Sequence, residues 1–123
     1  RIEQKTVFVL RFEDKTALRK RDDKGILSGM WELPNTDGIL DGQQAAKWLA
    51  EKGFSVKGIK APADGSRTFK HVFTHIEWHM ACWIVTCDNE GSGNDFTWVT
   101  DAQLADEIAL PTAFKKVYRA CSV

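Results

Sequence analysis

The 123 residues suffice for one domain with a real core, and their 43% apolar and 28% charged content is that of an ordinary globular protein. Lysine and arginine balance aspartate and glutamate at 17 each, which argues against a strongly basic nucleic-acid tail while leaving room for a local basic face. No apolar run approaches the roughly 20 residues that span a bilayer, and no secretory leader precedes the first strand-like segment. These features predict a cytoplasmic protein without a membrane partner, and the opening on Arg1 rather than Met predicts a piece of a longer polypeptide.

In chain order, "KTVFVLRF" (5–12) and "TALRKR" (16–21) read as two strands around the turn "EDK". "ILSGMWELP" (26–34) reads as a third extended stretch stopped by Pro34, and "NTDGILDG" (35–42) as a loop. Asp41 with Gln44 forms a capping-box pattern for a helix running to about Lys52. Ala45, Trp48 and Leu49 give that helix an apolar face, and Gly53 ends it.

"VKGIKAP" (56–62) is a weak strand and "ADGSR" (63–67) a turn. From Thr68 to Cys87 the pattern is β, with Ile76, Trp78, Met80, Cys82 and Ile84 alternating onto one face. "DNEGSGND" (88–95) is a loop, and "FTWV" (96–99) a short strand. Thr100 with Gln103 caps a short helix through about Glu107, and Pro111 opens a last helix that turns Phe114, Val117 and Tyr118 inward. No repeat or internal boundary interrupts the chain, so 1–123 is expected to be a single α+β domain, a mixed sheet with helices packed on its faces.

Three cysteines, Cys82, Cys87 and Cys121, cannot all pair within one chain, and their spacing fits no zinc or iron–sulfur pattern. They read as free thiols of a reducing compartment. His71, His75 and His79 recur every four residues, but in a strand that spacing is about 13 Å, too far for one ion. No metal site is expected. The basic residues fall in three groups: Arg19, Lys20, Arg21 and Lys24 around the first hairpin; Arg67 and Lys70 before "FTH"; and Lys115, Lys116 and Arg119 on the last helix. Such runs are ordinarily solvated faces.

Taken together, "GMWELP", the following loop and "AAKWLAEKGF" resemble the Nudix segment, in which a strand and loop lead into a catalytic helix. In active Nudix hydrolases that helix carries clustered glutamates, because Mg²⁺ on a diphosphate requires hard oxygen ligands. Anchored on Gly53, the signature positions are here Ala46, Lys47, Ala50 and Glu51, a single carboxylate beside a lysine. Glu51 then reads as a solvated glutamate near Lys47. The segment keeps the outline of the helix without its metal-binding chemistry.

"LRKRDDKGILSGMWELP", "KHVFTHIEW" and "ALPTAFKKVY", in that order, resemble the C-terminal domain of MutY-type adenine DNA glycosylases. The resemblance implies a Nudix-like module without catalytic residues of its own. It would recognise 8-oxoguanine opposite adenine in double-stranded DNA, while an upstream glycosylase domain of the same polypeptide excises the flipped adenine. That domain, by the same resemblance, carries a carboxylate pair and an iron–sulfur cluster held by four cysteines, and no cofactor is expected in this segment.

The family's lesion-contacting tripeptide falls on Phe73, Thr74 and His75. Guanine N7 is an acceptor, whereas in 8-oxoguanine it carries a proton, so a hydroxyl aimed at it favours the lesion. Thr74 supplies that acceptor, Phe73 a wedge against the base stack, and His75 a donor to the backbone. Arg67 and Lys70, which flank the tripeptide, would touch phosphates. Two other functions stay open at this point: a protein-interaction module on an inert Nudix scaffold, and a stand-alone Nudix nucleotide pyrophosphohydrolase.

Overall fold

The computed structural model describes residues 1–62, 68–91 and 95–121. Within them the chain forms β1 (Ile2–Phe12), β2 (Lys15–Lys20), β3 (Trp31–Glu32), β4 (Asn35–Asp37), α1 (Gly42–Glu51), β5 (Val56–Lys60), β6 (Thr68–Val72), β7 (Glu77–Cys87), β8 (Thr97–Thr100), α2 (Asp101–Asp106) and α3 (Thr112–Cys121). The expected turn at 63–67, which includes Arg67, lies outside the described residues.

The strands make a mixed sheet in the order β3-β2-β1-β7-β5, with β4 on β1, β6 on β7 and β8 on β2. Its centre is the parallel pair β1–β7, in register from Ile2 opposite Glu77 to Arg11 opposite Thr86. The remaining pairs are antiparallel. This is the expected α+β arrangement.

Both central strands are apolar on both faces because both faces are covered. On one side Val7, Val9, Trp78, Met80 and Cys82 pack under Ala113, Phe114 and Val117 of α3. On the other, Phe8, Leu10 and Val85 pack under Ala45 and Leu49 of α1. The Phe8 and Trp48 rings stack there at 4.8 Å and 12°, a geometry that adds about 0.5–1.5 kcal/mol to the area buried. The alternation from Trp78 to Ile84 therefore finds only half of what β7 buries. Val85 and Cys87 belong to the second core.

Local signals hold where they are chemical. Asp41 and Thr100 both close reciprocal capping boxes, with Gln44 and Gln103. Gly53, at φ 89°, leaves α1 through the left-handed region that favours glycine. Tyr118 of α3 is only half-buried, whereas Cys121 is buried.

Three expectations change. The strand read over 26–34 shrinks to Trp31–Glu32, because residues 25–29 coil through positive φ at Gly25, Leu27 and Gly29. The loop read over 35–42 begins with a strand: Asn35–Asp37 pairs with Val7, Thr6 and Lys5 despite its turn-like composition. The β run over 68–87 is two strands, folded back at 73–76 where the Phe73 N–H donates to the Ile76 carbonyl at 2.7 Å.

Candidate nucleic-acid interface

Strands β6 and β7 form a hairpin in register from Thr68 opposite Ala81 to Val72 opposite Glu77, so the tripeptide Phe73–Thr74–His75 falls on its turn. Phe73 points back into the fold. Its ring meets Trp78 edge-on, at 5.0 Å and 72°, and His71 at 4.8 Å and 65°. Trp78, only 1% exposed, rests in turn on Phe114 of α3 at 5.7 Å. The aromatic chain fixes the base of the turn and leaves the Thr74 and His75 side chains exposed at its tip. The backbone nitrogen of Arg1 donates to the His75 carbonyl at 3.2 Å, tying the turn to the start of β1.

The stem of the hairpin carries Lys70 and Glu77 and lies beside Lys116 of α3. Lys70 is exposed on β6, and its carbonyl accepts from the Lys116 ammonium of α3 at 2.8 Å. That ammonium beside His71, added to the imidazole's partial burial, holds the His71 pKa below its usual value, burial being the larger cause. On the neighbouring positions, a hydrogen bond from His79 holds the Glu77 carboxyl below the ordinary carboxylate range. Of the predicted site residues, the structure thus brings Phe73, Thr74, His75 and Lys70 together on one hairpin.

A second feature lies near the same tryptophan. Strands β1 to β4 enclose a polar cleft of about 660 Å³. At its floor Glu32, 2% exposed, accepts from Arg19 Nε and Nη2 at 3.0 and 2.8 Å, from Arg21 Nη1 at 2.7 Å and from Asn35 Nδ2 at 2.9 Å. Four donors on one buried carboxylate satisfy it fully. Lys5, also buried, pairs with Asp37 at 2.9 Å, and its ammonium lies 5.0 Å from the centre of the Trp78 ring. The Arg21 guanidinium lies 5.2 Å from that centre. Trp78 therefore packs behind two cations that line the cleft, as well as under the hairpin turn.

The basic run around the first hairpin is therefore not simply a solvated face. Arg19 and Arg21 alternate along the chain, turn to one side, and meet a glutamate of the adjoining strand, Arg19 being its direct register partner. Sequence reasoning passed over Glu32, Lys5, Asn35 and Asp37. The available signal was Arg-x-Arg facing a glutamate in a neighbouring extended stretch, which becomes informative only once the register is known. Five basic and four acidic side chains line the cleft, so most of its positive charge is neutralised within it.

Helix α1 offers less. Ala46, Lys47, Ala50 and Glu51 all lie on its exposed side. Among the described residues, no three His, Cys, Asp or Glu side chains are grouped to hold a metal ion. No helix among them is long and apolar enough to cross a membrane.

The model of a family described as the NUDIX domain matches residues 6–120. Among solved structures, the chain is similar to the C-terminal domain of mouse MUTYH in complex with human PCNA, at 20% identity and a TM-score of 0.67, covering 98% of this chain and 87% of that one. It is equally similar to the MutT NUDIX hydrolase of Burkholderia pseudomallei, at 12% identity and a TM-score of 0.70, covering 98% of each chain. The NUDIX domain of Shewanella oneidensis NrtR, solved with ADP ribose, matches at 17% identity and a TM-score of 0.68, over 97% of this chain and 85% of that one. At these identities the structural likenesses establish the fold.

Proposed function

The chain belongs to the NUDIX domain family, and from that premise we propose that it is a non-catalytic reader of oxidised guanine, serving adenine excision by a glycosylase domain of the same polypeptide. The observation that carries the reading is the β6–β7 turn. A rigid aromatic base presents one hydroxyl and one imidazole to solvent, beside two lysines. The likeness to the MUTYH C-terminal domain supports it as well.

In this reading the turn enters duplex DNA at an 8-oxoguanine:adenine pair. The Thr74 hydroxyl accepts from the lesion's N7–H, and against undamaged guanine it meets a second acceptor instead. His75 donates to the backbone. Lys70 and Lys116 add salt-sensitive, sequence-independent attraction to phosphates, as does Arg67. Phe73 acts as the anchor that holds the hydroxyl in place, in addition to any contact with the stack. Adenine excision, and the iron–sulfur cluster of the excising domain, belong to the upstream part, and the protein works in the cytoplasm at the nucleoid.

The test is Thr74→Val in the complete protein, measured as the ratio of affinities for 8-oxoguanine:adenine and guanine:adenine duplexes. Loss of one net hydrogen bond, about 1 kcal/mol, predicts a roughly fivefold fall in that ratio, with Thr74→Ser restoring it. An unchanged ratio removes the hydroxyl from recognition.

A second reading has its own observation. Ile2 and Val72, 60% and 61% exposed, lie on either side of Glu77 in adjacent strands, a strip of mixed apolar and acidic character. A protein-docking role fits that strip, and the mouse relative was solved with a protein partner. Equal affinity for damaged and undamaged duplex would favour it. Pyrophosphate release from 8-oxo-dGTP in the presence of Mg²⁺ would instead favour a hydrolase of the MutT kind.

A further inference from the structure

Cys82 lies on β7 and Cys121 ends α3. Both are buried, and their sulfurs stand 2.9 Å apart. A disulfide bond is about 2.05 Å long, so closing this gap takes a movement of less than about 1 Å. Cys87 cannot compete. It is five positions from Cys82 on the same strand, so it faces the other side of the sheet and packs with Phe8, Leu10 and Leu49.

We propose that Cys82 and Cys121 are a reversible dithiol–disulfide latch, oxidised by hydrogen peroxide, that fastens the end of α3 to the central strand β7. Burial of both sulfurs selects a small oxidant. The Cys121 sulfur, once deprotonated, attacks one peroxide oxygen. The O–O bond breaks, hydroxide leaves, and a sulfenic acid forms. The Cys82 sulfur then attacks the sulfenic sulfur, the S–O bond breaks, and water leaves with the Cys82 proton. Two thiols and one hydrogen peroxide become one disulfide and two waters, with two electrons passing from sulfur to peroxide. A thiol reductant reverses the change. The contact with Cys121 and then burial drive the Cys82 pKa far upward, which keeps Cys82 protonated at rest.

The latch acts behind the hairpin. Helix α3 also carries Phe114, on which Trp78 and through it Phe73 rest. The proposal stands on the thiol geometry alone and is independent of the DNA-reading role.

The experiment exposes the reduced full chain to a small molar excess of hydrogen peroxide, quenches it, and alkylates the denatured product before mass measurement. The expected result is two of three thiols protected, a peptide fragment joining Cys82 to Cys121, Cys87 alkylated throughout, and recovery of all three thiols with dithiothreitol. The oxidised chain should melt roughly 10 °C higher, since the cross-link restrains the unfolded state. In Cys121→Ala, Cys82 should become alkylated like Cys87. Sulfinic or sulfonic acid at either position in place of the linked peptide, or three alkylated thiols after exposure, would overturn the proposal. The decisive product is read in the wild-type chain, so a variant that folds poorly leaves the answer intact.

Discussion

Helix α1 and the β6–β7 turn are anchored in the same way and offer opposite surfaces. Beneath α1, Ala45 and Leu49 are buried and Trp48 stacks on Phe8; beneath the turn, Phe73 packs edge-on against Trp78. Above them, α1 shows two alanines, a lysine and a glutamate, whereas the turn shows a hydroxyl and an imidazole. The packed side of each belongs to the fold, and function has to be sought on the other side. By that criterion the exposed side of the turn offers a hydroxyl and an imidazole for recognition, and the exposed side of the helix offers one charge of each sign.

The comparison can be broken most forcefully from beneath. Trp78→Ala removes the ring that supports Phe73, backs Lys5 and Arg21 and rests on Phe114. A loss of about 3–5 kcal/mol of stability is expected by denaturant unfolding. If the loss is below about 1 kcal/mol, the turn is not anchored as described. Glu32→Gln should cost less, about 2–3 kcal/mol. It strips two guanidinium groups of their shared carboxylate, but Arg19 is about a third exposed and water recovers part of the loss. Unfolding of the variant at low and high salt checks this: added salt should narrow the difference from wild type.

Changes at the surface should separate the two regions. Lys47→Ala and Glu51→Ala on α1 should each alter stability by no more than about 0.5 kcal/mol and leave the affinity ratio for damaged over undamaged duplex unchanged. A large effect of either would restore a functional role to the helix. A finer distinction comes from pH. His71 has a folded pKa below its ordinary value of about 6.5, so the unfolded chain takes up its proton first as pH falls. The stability that depends on neutral His71 is complete above about 6.5 and is lost as pH falls through the folded pKa. His71→Gln should flatten that part of the stability profile between about pH 7 and pH 5, and an unaltered slope would place the acid sensitivity elsewhere.

Much of the fold was legible because its signals are local. Asp41–Gln44 and Thr100–Gln103 state their capping chemistry within four residues, and Gly53 states the end of a helix. What failed was set by partners distant in the chain. Strand β4 is hidden by Asn35 and Asp37, residues typical of turns, and exists because Lys5, Thr6 and Val7 offer it an edge. The cleft was illegible for the same reason: Arg19 and Glu32 are a pair only after β2 and β3 align. For the turn at "FTH", the fold-back of the β run and the inward direction of Phe73 depend on Trp78 and His71, across and beside it in the hairpin.

The parallel pairing of β1 with β7 has a consequence for how the chain reaches this state. Residues Ile2–Arg11 of β1 each meet a partner seventy-five positions later, so this strand at the centre of the sheet is made well before β7 and must wait for it. During synthesis its run of valine, phenylalanine and leucine has only the β1–β2 hairpin and β4 as neighbours. Contacts of such long range are closed late and against a large loss of chain entropy. Refolding should therefore be slow for a domain of this size, and a chain stopped before Glu77 should aggregate through the uncovered edge of β1 rather than rest as a stable half-domain.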